Sequence, residues 1–155
     1  MTKSRIRVER NFFLDEFIPR EIYYNTPNWR LFRAIDPRLF TLHQAVRDRF
    51  GTMTLNNYYI GGNRNESGLR LPSHGYYSMF SCHSYGRAGD SVFRKGLDIR
   101  EVWEDIQKNY NKIYKPLGLT SIEKGKHITW LHMGMGNMLS DDDDLFLIKI
   151  GEQYD

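Results

Sequence analysis

Apolar positions from residue 36 to 51 follow a helical period. Leu39, Leu42, Val46 and Phe50 recur on one face, after Asp36-Pro37 and before Gly51. An aspartate suits the N-cap, a proline suits the first helical position, and a glycine stops the helix. Met53 and Leu55 then alternate with polar neighbours, which predicts a strand over 52–58. The stretch 61–75, GGNRNESGLRLPSHG, has the turn residues of a loop. A loop of that length in a compact domain is usually functional or mobile. Ile99, Val102, Trp103, Ile106, Tyr110 and Ile113 form the stripe of a second helix over 98–114, ended by Pro116 and Gly118. Apolar runs predict strands over 119–123, 127–133 and 145–150. The order is helix, strand, long loop, strand, helix, then strands. It implies an α+β fold, with a small, mainly antiparallel sheet flanked by helices. At the start, 2–24 mixes charge with Phe12, Phe13, Leu14, Phe17 and Ile18 and is expected to lie over the core. With no repeat and no linker, 1–155 reads as a single domain, with 1–35 as an N-terminal segment packed on it.

Composition narrows the function classes. The chain has 155 residues, the size of one domain with a substantial core. Hydrophobic residues make up 40% and aromatics 14%, which argues against disorder for the bulk. No apolar run approaches the ~18 residues of a membrane span. The start, MTKSRIRVERNFFLDEF, lacks the apolar core of a signal peptide, so conventional export is not expected. The single cysteine, Cys82, excludes an internal disulfide framework and a four-cysteine zinc site. A net charge of +3 is too weak to imply a nucleic-acid partner.

The segment 80–93, FSCHSYGRAGDSVF, carries the informative chemistry. It places Ser81, His83, Gly86, Ala88 and Asp90 in the pattern S-x-H-x-x-G-x-A-x-D, and His132 follows in ITWLHMGMG. Such a five-residue match arises by chance only on the order of once in 10⁴ chains of this length. Two imidazoles and a carboxylate suit a catalytic zinc, which takes three protein ligands and leaves one position open. The metal lowers the pKa of its water toward ~7 and polarises a carbonyl. Gly86 permits a turn, and Ala88 leaves room beside the metal. On a strand, Ile128, Trp130 and His132 share one face, so Trp130 would wall the pocket. Ser81 reads as a hydrogen-bonding support. Cys82 reads as buried and inert, facing away from His83 if the segment is extended. His43, His74 and His127 read as ordinary core or surface histidines.

The pattern resembles the signature of the M15 metallopeptidases, the D-alanyl-D-alanine carboxypeptidase and L,D-endopeptidase superfamily. NFFLDEFIP, LNNYYIGG, NESGLR and TWLHM are similar to successive blocks of its phage-type branch, from about residue 11 to 150. The resemblance implies an M15 (hedgehog/D,D-peptidase-like) architecture and one zinc ion on His83, Asp90 and His132. It also matches Arg70 to an arginine on the substrate side of the site. Arg70 has a second reading, as a loop-organising residue bonded to backbone carbonyls. Trp130 and Tyr85 are further substrate-binding candidates, and Tyr58, Tyr76 and Tyr77 are expected to flank the site.

The departures concern the general base. Carboxypeptidases of the superfamily often carry a glutamate three residues before the last histidine ligand, where this chain has Thr129. The phage-type branch tends to place an acid two residues after it, where this chain has Gly134. Glu123 is the remaining acid that a hairpin around Gly125 could bring near His132, against the reading of an exposed strand-end residue beside Lys124 and Lys126. The acidic run Asp141–Asp144 reads as a solvated loop. The expected function is a zinc-dependent peptidase cutting peptidoglycan stem peptides, as carboxypeptidase or endopeptidase. The alternative is a catalytically silent structural or virion protein that keeps the zinc site. The expected setting is a phage virion or host cytoplasm before release, with other virion proteins as further partners.

Overall fold

The computed structural model describes residues 3–136 and 144–150. A short hairpin, β1 (Arg7–Glu9) and β2 (Phe12–Phe13), leads through a 3-10 turn at Leu14–Glu16 into helices α1 (Arg20–Asn25) and α2 (Asn28–Leu31). Helix α3 (Arg38–Phe50) precedes β3 (Met53–Thr54). A long irregular stretch then runs to a 3-10 turn at Cys82–Tyr85 and to β4 (Ala88–Phe93). Helix α4 (Ile99–Lys108) and a π-helical turn (Tyr110–Tyr114) lead to β5 (Ser121–Lys124), β6 (Leu131–Gly134) and β7 (Phe146–Lys149). The architecture is α+β. The larger sheet has the order β3-β4-β6-β5-β7, antiparallel throughout except for the parallel pair β5-β7.

Helix α3 follows the sequence pattern closely. The Asp36 carboxylate accepts the Arg38 N–H at 3.1 Å, so it caps the helix although the regular turn starts two residues later. Gly51 ends it with φ 87°, a conformation that costs a glycine little. Leu39, Leu42 and Val46 are fully buried. They meet Phe12, Leu14, Phe17, Ile18, Tyr23 and Leu31 of the N-terminal segment in one core cluster.

The strands over 119–123 and 145–150 shift by one or two residues at their ends, and three other elements are cut back further. The strand over 52–58 stops at Thr54 because Asn56 bonds elsewhere. Its N–H donates to Glu16 O, its amide donates to Ile18 O, and its Oδ1 accepts from Ser67 N–H. The helix over 98–114 starts where expected, with the Asp98 carboxylate capping it by accepting the Arg100 N–H, but its α-helical part ends at Lys108. Beyond it, the wider π-turn carries buried Tyr110 and Tyr114, whose hydroxyls donate to Leu119 O and Asp105. The strand over 127–133 is ordered as β6 only from Leu131, because Ile128 N–H closes a turn onto Gly125 O. Ile128, Trp130 and His132 therefore do not share one strand face. The loop over 61–75 has no regular element, as expected. Of the acidic run, residues 141–143 lie outside the described residues, and Asp144 is exposed.

Candidate metal centre

Strand register builds the centre. In the antiparallel pair β4-β6, Asp90 stands opposite His132. Directly opposed residues project from the same face with Cβ atoms ~5 Å apart. His83 arrives from the 3-10 turn that precedes β4. Ser81 caps that turn by accepting the His83 N–H at 3.3 Å. Gly86 ends it at φ 65°, where a Cβ would lie 1.8 Å from Ala34 O, so the return of the chain requires glycine.

The three donor atoms converge. His132 Nδ1 lies 2.8 Å from Asp90 Oδ1, His83 Nε2 lies 3.2 Å from the same oxygen, and the two ring nitrogens are 3.3 Å apart. Ligands ~2.0 Å from a tetrahedral ion are ~3.3 Å from one another. The triangle thus matches one face of such a site. His83 and His132 are buried, and the Asp90 side chain is 14% exposed. Among the described residues, this triad is the group of histidine, cysteine and acidic side chains placed to hold a metal ion.

A surrounding layer of hydrogen bonds fixes the triad. His83 Nδ1 lies 2.7 Å from Gly68 O, which places the proton on Nδ1 and leaves Nε2 free to ligate. Gly68 in turn presses on the N-terminal segment. A Cβ there would sit 2.1 Å from Phe17 O, and Leu69 N–H donates to that carbonyl. Arg70 Nη2 donates to Asp90 Oδ2 at 2.5 Å, holding Oδ1 toward the two imidazoles. Its Nε donates to Glu66 O and its Nη1 reaches Tyr76 O. Arg70 therefore does organise the loop, and it also orients Asp90. Arg64, to which the sequence reading gave no role, donates to Leu55 O and Asp90 O. Ser67 O accepts the Asp90 N–H at 2.6 Å. The long loop is thus pinned around Asp90. Burial alone would raise the Asp90 carboxyl. Contact with the His132 and His83 imidazoles outweighs burial and holds it far below the usual carboxylate range.

Glu123 joins the site from the other side of β6. Register pairs Ser121 with Gly134 and Ile122 with Met133, so the next step brings Glu123 alongside His132. Its Oε1 lies 3.8 Å from His132 Nδ1, and it stays outside the convergent triad. Position 134 has no room for an acid without rearrangement, since a Cβ there would fall 2.4 Å from Ser121 Oγ and 3.3 Å from His132 Nε2. A cleft of about 740 Å3 opens beside Asp90, with Glu66, Arg70, Tyr76, Glu123 and Trp130 in its walls. Trp130 reaches it from the bend before β6.

Several expectations need correction. Tyr85 is 60% exposed and does not line this cleft. Tyr58 is a core residue whose hydroxyl donates to Ile18 O. Tyr76 is the tyrosine of the predicted set that walls the cleft. Cys82 is half-buried in a 3-10 turn, not in an extended segment, and burial pushes its thiol up. The other three histidines are the ordinary core or surface residues expected: His43 lies in the core with Nδ1 on Leu39 O, His74 contacts Glu21, and His127 is exposed, so none joins the triad.

The site and fold together define an α+β protein with a His-Asp-His triad whose histidines are buried and whose aspartate reaches the wall of an open cleft. Comparison with family models, curated proteins and solved structures finds no match for the chain.

Proposed function

We propose that the protein is a zinc-dependent peptidase of M15 type that cleaves peptidoglycan stem peptides, built on an M15-like architecture. The observation that carries this reading is the row Asp90–His132–Glu123 across β4, β6 and β5, with His83 closing the triad. Two imidazoles and one carboxylate at these spacings fit zinc by donor chemistry. Bound there, the ion would supply Lewis acidity at the substrate carbonyl. The chain's own groups do the rest. Glu123 Oε1 takes a proton from the attacking water and passes it to the leaving amine. Arg70 is a positioning residue that holds the Asp90 carboxylate. Tyr76 and Trp130 wall the peptide path. The resemblance further suggests action from a phage virion, beside other virion proteins, or from the host cytoplasm before release.

The test is zinc stoichiometry and peptidoglycan hydrolysis on wild type, His83→Ala and Glu123→Gln. Wild type should bind one zinc and hydrolyse. His83→Ala should lose both. Glu123→Gln should keep zinc and lose hydrolysis by roughly 10²–10⁴-fold. Zinc without hydrolysis in wild type would instead identify the catalytically silent protein, and absence of zinc binding would remove the site assignment.

A further inference from the structure

A second cleft, of about 940 Å3, lies between α4, the turn joining β5 to β6, and the outer strand β7. Successive residues of a strand point to opposite faces of the sheet. Glu123 accordingly enters the cleft beside the triad, and Lys124 enters this one. Parallel pairing sets Lys149 directly beside Lys124, and Lys126 lines the same cleft from the turn. Lys124 donates to a neutral acceptor, Gln107 Oε1, at 3.4 Å. Arg100 and Asp98, also in the wall, are spent on each other at 2.6 Å, which leaves Glu104 as the opposing acid. Between the charges the lining is apolar, from Ile99, Ile128 and Leu147. Trp103 closes the α4 side. It is 4% exposed, and Lys124 Nζ lies 5.9 Å from the centre of its ring. Its buried indole N–H has no acceptor among the described residues. Native structures seldom keep a buried donor without a partner, because the unmade bond is destabilising. Clustered ammonium groups, an apolar lining and a donor that lacks an acceptor make a receptor for an anion with an apolar body. The volume is that of a small-molecule site.

We propose that this cleft binds a small organic phosphate monoester. Lys124, Lys126 and Lys149 hold the phosphate, and Ile99, Ile128 and Leu147 pack on the apolar body. One ligand oxygen accepts the Trp103 N–H. That N–H is buried, so the meeting requires a small turn of the indole, which the test reads. Lysine ammonium groups act on phosphate as point charges, and a dianion is shared among several of them better than a carboxylate is. The site uses no residue of the triad and stands apart from the peptidase reading.

The test titrates phenyl phosphate into the intact, isotope-labelled chain without added metal, so that no zinc on the triad competes for the phosphate. The indole N–H resonances are followed by NMR, and Trp29→Phe and Trp130→Phe assign that of Trp103 by elimination. Trp130 lines the other cleft and serves as the control. Phenyl phosphate should saturate, move the Trp103 N–H downfield and leave that of Trp130 in place. It should bind about tenfold tighter than benzoate, which carries the same ring with less charge, and than inorganic phosphate, which lacks the ring. Lys124→Gln and Lys126→Gln should each weaken phenyl phosphate by about fivefold or more. Lys126 is exposed, so its variant removes charge without removing packing. Absence of saturable binding would overturn the proposal. So would a response at Trp130 in place of Trp103, equal affinity for benzoate or inorganic phosphate, or unchanged affinity in both lysine variants.

Discussion

Removing the Arg70 guanidinium tests the proposed link between the loop and the metal triad. Arg70 and Asp90 are 16% and 14% exposed at their side chains, with Nη2 and Oδ2 2.5 Å apart. At ~4 Å between charge centres and an effective dielectric near 20, the attraction is about 4 kcal/mol. Breaking one partner of a buried pair costs about 3–5 kcal/mol, because the remaining charge is left without compensation. The residual exposure of both groups puts Arg70→Met at the lower end, about 3 kcal/mol in metal-free protein. For a chain of this size that lowers Tm by about 6–12 °C. A dication on the triad supplies the missing positive charge beside Asp90, so saturating zinc should recover much of the loss. Zinc affinity should also fall about 10–100-fold, because Oδ1 is no longer held in place by a bond to Oδ2. Urea unfolding with and without zinc reads the first effect, and competition with a chelator reads the second. A metal-free Arg70→Met within about 0.5 kcal/mol of wild type, or one with unchanged zinc affinity, would refute the reasoning.

Burial lowers the His43 imidazole to about 4, so the folded protein resists protonation that the unfolded chain accepts. Stability should therefore fall by about 3 kcal/mol as pH drops from 6.5 to 4, and His43→Leu should flatten that limb of a urea-midpoint profile. Glu16 behaves oppositely. Burial raises its carboxyl to about 7, against the opposing Phe13 N–H bond and Arg5 charge. Its contribution weakens as pH rises from 4.5 to 7, so Glu16→Gln should stabilise by about 1–2 kcal/mol at pH 8 and by nothing measurable at pH 4. Equal effects at both pH values would contradict this. Gly68→Ala drives a Cβ to 2.1 Å from Phe17 O and displaces the carbonyl that holds His83. It should destabilise by about 2–3 kcal/mol and weaken zinc binding, as measured by the same unfolding and chelator assays.

Much of this protein is legible in its sequence, for a local reason. Helix α3 is specified by a cap at Asp36, a stripe from Leu39 to Val46 and a stop at Gly51, all within one stretch of chain. The same holds for Asp98 and the stripe of α4. The spacing from His83 to Asp90 fits a turn that Ser81 opens and Gly86 closes. Repeat distance, capping chemistry and glycine's positive φ act between near neighbours, so a single sequence displays them.

Tertiary structure alone decided the pairings. That Asp90 faces His132, and that Glu123 rather than residue 129 or 134 is the acid beside it, follows from the register of three strands that are distant in the chain. A shift of one residue would turn each of these side chains to the opposite face. The wrong length for the strand over 127–133 has the same origin, since pairing with β4 ends at Leu131. The double role of Arg70 depends on a loop whose path is set by Asn56, Ser67 and Phe17, which hold it through long-range backbone bonds. Chain periodicity carries no record of such bonds. Packing against the N-terminal segment and strand register bring the donor atoms of His83, Asp90 and His132 to one point.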